Sequence, residues 1–105
     1  MTRAEADGVL QRIRRDETLL WRSGHFLEQL EARRYSIRDA YNVLRRGRIE
    51  GEPERDDEHG NHVIRVLGKA LDGRPTRLIV GLREFGQSDL ISIVNLRRPR
   101  RRGER

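Results

Sequence analysis

The chain has 105 residues and a mass of 12.4 kDa, is 34% hydrophobic, 38% charged and 5% aromatic, and contains no cysteine. That length accommodates one small domain with a modest core, which excludes a multidomain enzyme; without cysteine there is no disulfide framework, thiolate nucleophile or cysteine-ligated zinc site. The formal net charge is +6, yet Arg97, Arg98, Arg100, Arg101, Arg102 and Arg105 against Glu104 put +5 into the last nine residues and leave +1 over residues 1–96. Residues 97–105, with Pro99 and Gly103, are therefore expected to form a basic disordered tail beyond a domain spanning 1–96, suited to polyanions or equally to a solubilising role. Of the 23 basic residues only Lys69 is lysine, which fits bidentate phosphate contacts and fits a GC-rich genome as well. The apolar stretches, such as Leu78 to Val80 and Ile91 to Val94, fall far short of a membrane span, and no apolar signal segment opens the chain. The expectation is a soluble cytoplasmic protein with no membrane partner.

In chain order, Ala6, Val9, Leu10 and Ile13 have helical spacing and predict a first amphipathic helix over residues 3–15. Thr18 to Arg22 breaks that period and reads as a brief extended link carrying Trp21 into the core. From His25 to Arg34 a second helix is predicted, with Phe26, Leu27 and Leu30 on one arc and His25, Gln29 and Arg33 at i, i+4, i+8 along its border. Ser36 and Asp39 have capping-box spacing, Ile37, Ala40, Tyr41 and Leu44 form the stripe of a third helix, and Gly47 is its stop. Four strands follow, over Arg48–Glu54, Asn61–Leu67, Thr76–Leu82 and Leu90–Leu96, the last apolar on both faces. His59-Gly60-Asn61, Asp72-Gly73-Arg74-Pro75 and Gly86 to Asp89 are short hairpin connections. The expected architecture is α+β, three N-terminal helices packed on one face of a four-stranded antiparallel sheet.

The acidic run Glu50, Glu52, Glu54, Asp56, Asp57, Glu58, followed by His59 and His62, lies on an edge strand and across a turn. It lacks the one-face geometry of a zinc motif, so no metal is assigned and no cofactor is expected. There is no Walker loop, dinucleotide fingerprint or nucleophile elbow. What remains is His25, with Arg22 and Ser23 before it, Arg33 two turns on, and the hydroxyl of Ser92 in the last strand. A ribonuclease that works without metal can use such a set: one group takes the proton of the ribose 2′-OH, an arginine stabilises the charged phosphorane, and an acid protonates the leaving oxygen. A lone histidine at a helix start also has an ordinary reading as a capping or packing residue.

The stretch from His25 through Glu28, Leu30, Arg33, Ser36 and Ile37, followed by Val43-Leu44 and Gly47, resembles a bacterial family known only as a domain of unknown function. Its members carry a His-x-x-Glu-Arg-Met-x-Glu-Arg-Gly-Ile-Ser pattern, and the resemblance covers roughly residues 4 to 96. The family is grouped with the RelE-like and barnase-EndoU-colicin ribonucleases, whose fold is N-terminal helices followed by a four-stranded antiparallel sheet. Its members are often encoded beside small zinc-finger antitoxins of the type that partners the motility and quorum-sensing regulator toxin. The resemblance implies that His25, Glu28, Arg33 and Ser36 match the family's His, first Glu, second Arg and Ser, with Ser36 better suited to capping a helix and Glu28 to orienting an arginine. Gln29, Ala32 and Arg34 depart from the family's Arg, Glu and Gly. A final-strand threonine has Ser92 as its nearest hydroxyl here, with Val94 and Asn95 as alternatives in register.

These observations lead to a catalytic set of His25, Arg33, Ser92 and Glu28 and an RNA-binding set of Arg22, Arg34, Arg83, Arg97 and Arg98. The function expected is that of a toxin of a toxin-antitoxin pair, an endoribonuclease needing no metal, with RNA, free or on the ribosome, and a zinc-finger type antitoxin as partners. The alternative is a non-catalytic RNA- or partner-binding module of the same fold. A DNA-binding regulator fits less well, because the Tyr35-Ser36 junction is short and Tyr41 and Leu44 are committed to the core.

Overall fold

A computed structural model describes residues 1–57, 61–83 and 85–97. The chain starts with a reciprocal capping box: Thr2 accepts from the N–H of Glu5, and the Glu5 carboxylate accepts from the N–H of Thr2, opening α1 (Arg3–Arg15). Ala6, Val9, Leu10 and Ile13 are its buried face, as their spacing predicts. Asp16 then caps a single 3₁₀ turn (Glu17–Leu19), accepting from the N–H and hydroxyl of Thr18. The turn delivers the chain into β1 (Leu20–Arg22).

β1 corrects two expectations. The segment is a fifth strand rather than a link, pairing parallel with β5 (Ser88–Asn95) in the register Leu20 to Ser88, Trp21 to Asp89 and Arg22 to Leu90. Alternation along a strand then sends Leu20 into the core and Trp21 outward, where it is 54% exposed. The other strands, β2 (Arg48–Asp56), β3 (Asn61–Lys69) and β4 (Pro75–Leu82), form an antiparallel meander with β5, giving the order β1-β5-β4-β3-β2. The architecture is α+β, as expected, with five strands instead of four.

α2 (Gly24–Ala32) and α3 (Ile37–Arg46) complete the fold. Phe26, Leu30, Ala40, Val43 and Leu44 join the α1 face on Ile64, Val66, Leu78, Val80, Leu90 and Ile93 in one core. Gly47 and Gly68 face each other where the end of α3 meets β3. Arg14 closes that corner by donating to the carbonyls of Leu44 (2.8 Å) and Gly47 (2.6 Å), which the end of α3 leaves unpaired. The opposite face of the sheet carries Arg77–Glu50 and Arg65–Glu54 ion pairs. At the free edge, β2 is blunted by Pro53 and by an irregularity between Glu50 and Glu54 with Gly51 at φ 70°.

The N-terminus of α3 is fastened by Asp39. Its carboxylate accepts from the N–H and hydroxyl of Ser36 and from the N–H of Leu71 in the β3–β4 turn (2.9 Å). Burial alone would raise the Asp39 pKa, but these hydrogen bonds, together with the field of Arg74, outweigh it and hold the group below its ordinary value of 3.8. A carboxylate depressed in the folded state contributes stability above its unfolded pKa and loses it as pH falls through the folded one. Asp39→Asn is accordingly expected to cost about 1–3 kcal/mol at neutral pH and to flatten the loss of stability below pH 3.8. Urea denaturation across that range checks both; parallel curves for the two proteins would refute the assignment.

Candidate functional site

The border of α2 predicted from its spacing lies along the edge of β5. Ser23 caps the helix by accepting from the N–H of Phe26 (3.1 Å), and burial of Phe26 and Leu30 fixes its rotation. In β5, Leu90 pairs with Val80 and Ser92 with Ile79, so Ile91 is an extra residue, a bulge that lets both Leu90 and Ile93 reach the core. β1 covers the edge of β5 only as far as Leu90. Beyond it, side chains of α2 take over: the Gln29 amide donates to the carbonyl of Ile91 (3.2 Å), and the Arg33 guanidinium donates to that of Ile93. Four helical residues advance about 6 Å and two strand residues about 6.6 Å, so an i, i+4 pair meets alternate edge carbonyls.

Gln29 also accepts from the Ser92 hydroxyl at 3.0 Å. Of the three final-strand candidates, Ser92 is thus the one joined to the α2 border. Val94 pairs with Arg77, and the Asn95 side chain accepts from the N–H of Arg97. Gln29 holds this hydroxyl through its amide oxygen while its amide nitrogen holds the edge carbonyl, so one side chain joins both. His25 stands in the first turn of α2, exposed, with no hydrogen bond to a described residue, and Glu28 is exposed on the same helix. Gln29, Arg33 and Ser92 therefore form one bonded seam, while His25 projects beside it and Glu28 does not join it.

α2 ends two residues short of expectation, at Ala32. The N–H of Tyr35 bonds the Leu30 carbonyl (2.8 Å) and that of Arg34 bonds the Glu31 carbonyl (3.2 Å), the paired bonds of a Schellman motif, with Arg34 at φ 59°. This left-handed position favours glycine. Arg34→Gly is expected to stabilise the domain by about 1 kcal/mol, read as a raised melting temperature; a lower one would contradict the strain argument. Arg74, which the sequence presents only as a turn residue, braces this corner: its guanidinium lies 4.0 Å from the Tyr35 ring centroid, pairs with Asp72 and donates to the Arg34 carbonyl. A Pro following an arginine in a turn carries no signal for such a contact, because the partner lies 40 residues away.

The five arginines expected from the sequence to bind RNA are divided. Arg22 is exposed at the end of β1, Arg34 and Arg97 are exposed at the far ends of α2 and β5, and Arg83 pairs with Asp89 at 3.2 Å. Arg98, with the rest of the tail from 98 to 105, lies outside the described residues, as do Glu58 and His59 of the acidic run. Among the described residues, no group of three or more His, Asp or Glu side chains is arranged to hold a metal ion, and no helix is long and apolar enough to cross a membrane.

The fold and seam define a small α+β domain in which one helix border seals a bulged sheet edge. Residues 23–94 match the family described as Domain of unknown function (DUF4258), and the chain belongs to that family. The match runs from the cap of α2 into β5, so it contains both sides of the seam, while α1 and β1 precede it. Searches of curated proteins and of solved structures find no match.

Proposed function

We propose that the chain is an RNA-cleaving domain, a RelE-like endoribonuclease that needs no metal and acts as the toxin of a toxin-antitoxin pair. The observation that carries this reading is the seam itself, which gathers Arg33, Ser92 and Gln29 on one line with His25 at its head. Arg33 uses one nitrogen on the Ile93 carbonyl, which anchors the guanidinium while its other donors can face a phosphate. Ser23 caps Phe26, and helix geometry leaves the N–H groups of Gly24 and His25 without intrahelical acceptors, so α2 starts with a positive pole suited to a phosphate beside His25. In this arrangement His25 moves the proton of the 2′-OH or of the leaving oxygen, Arg33 stabilises the phosphorane, and Ser92 orients Gln29. The catalytic reading gives Glu28 an orienting role, and Arg22, Arg34 and Arg97 longer-range attraction for the strand.

A specific observation favours the second reading, a non-catalytic RNA- or partner-binding module: His25 has no neighbour to orient its ring among the described residues. Incubation with end-labelled RNA in EDTA separates the two. The ribonuclease leaves 2′,3′-cyclic phosphate ends; the module shifts RNA in a low-salt gel, breaks no bond, and loses affinity steeply as salt rises. If the RNA stays intact, a translation extract tests dependence on the ribosome. A neutralising antitoxin, of the zinc-finger type, would cover the His25–Arg33 border or a sheet edge, with acidic segments matching the arginines.

A further inference from the structure

Beside β1 opens a cleft of about 530 Å3, within the size range of small-molecule sites. Its floor is the buried Leu20, and two of the chain's five aromatic side chains, Trp21 and Tyr41, line it. Exposure of the single tryptophan is the informative feature, because a large aromatic surface left in water calls for a partner. The rest of the cleft is held in place by polar contacts. The Gln87 amide donates to the Thr18 carbonyl at 2.9 Å, which pins the β4–β5 turn to the 3₁₀ turn and leaves the amide oxygen as an acceptor. Arg45 lies 5.7 Å from the Tyr41 ring centroid and pairs with Glu17, so the one carboxylate in the lining is already neutralised. Arg22, also in the lining, is exposed and has no carboxylate partner among the described residues.

We propose that this cleft seats one nucleobase, carried by a single-stranded RNA or by a free nucleotide. Aromatic walls supply a stacking surface that accepts any base, the Gln87 oxygen accepts from an exocyclic or ring N–H, and Arg22 meets the adjoining phosphate. An aromatic peptide side chain would use the walls but leave the Gln87 oxygen and Arg22 unmatched. The proposal rests on the reading that this chain handles RNA, and adds base recognition to it. Arg22 is three residues before His25, so a strand with its base in the cleft runs directly past the start of α2. The base next to the cleaved bond is then the one selected.

Because Trp21 is the only tryptophan, its emission reports on this cleft alone. The native protein is titrated with the four 5′-ribonucleoside monophosphates, with ribose 5-phosphate, and with a 2′-O-methyl oligonucleotide that cannot be cleaved through its 2′ oxygen. Saturable changes are expected with the mononucleotides, at lower concentration with the oligonucleotide, and none with ribose 5-phosphate. In filter binding of the oligonucleotide, Trp21→Ala and Gln87→Ala, both at exposed positions, are expected to weaken binding, the former about tenfold. An emission unaffected by every base, or affected equally by ribose 5-phosphate, overturns the proposal; so does a Trp21→Ala variant that binds as the native chain does. RNA cleavage with a silent Trp21 removes the cleft and leaves the ribonuclease standing, whereas nucleotide binding without cleavage does the reverse.

Discussion

Gly47→Ala is expected to destabilise the domain by about 3 kcal/mol, a large share of the roughly 5–15 kcal/mol that holds a domain together. The reason is space rather than backbone freedom, since Gly47 has an ordinary φ of −76°. A methyl group there would meet the carbonyl of Val43, the carbonyl of Leu67 at 2.6 Å and Cγ1 of Val66 at 2.7 Å. Two of those atoms are main chain and cannot step aside, and Gly68 faces the same contact with the Val43 Cα at 3.3 Å from its own missing methyl. Relief requires α3 to lift from β3, which also strains the Arg14 bonds that close the corner. Thermal unfolding should show a fall of roughly 12 to 24 °C for a domain of this size. Gly8 supplies the contrast: it lies mid-helix in α1, where an added methyl group would have nothing within 4 Å, so Gly8→Ala is expected to stabilise by about 1 kcal/mol. If both variants moved the same way, the close approach at Gly47 would be refuted.

His25→Ala is expected to lower RNA cleavage by about 100- to 10,000-fold, the usual contribution of a positioned acid or base. The variant is a clean test because the imidazole is exposed and bonded to no described residue, so stability should change by no more than about 0.5 kcal/mol. Arg33→Ala is a poorer probe, since it removes the proposed phosphate donor and exposes the Ile93 carbonyl at once. Initial rates on a defined RNA, with matched melting curves, decide the matter. A His25→Ala protein that cuts at the native rate removes His25 from the chemistry and leaves the histidine as an ordinary surface residue of a helix start.

The helices are legible in the sequence because their determinants are local. The Ser36–Asp39 box, the α1 stripe and the Gly47 stop all act within a few residues, and the structure places each where its spacing predicts. β1 is not legible as a strand: only three residues long, it is defined by a partner 68 positions away, which no local pattern announces. The direction of Trp21 escapes the sequence for the same reason, since it follows from the register with Asp89 and not from hydrophobicity. In the candidate site, the His25, Gln29 and Arg33 border is visible as an i, i+4 series. What it touches is not, because the Ile91 bulge that turns Ser92 and the edge carbonyls toward it depends on the pairing of β4 with β5.

The seam along β5 also has a consequence in time. The meander from β2 to β5 is built from neighbouring segments, but β1 and α2 must return across 60 or more residues to close on β5. Contacts of such separation carry the larger loop-closure cost and are completed late. Amide exchange should therefore find the β1–α2 flank releasing as one unit before the central strands open. Each such opening would carry His25 and Arg33 away from Ser92 together, so the domain would spend brief intervals with the β2–β5 meander intact, the β5 edge bare and the seam dismantled, a state that a partner protein could capture.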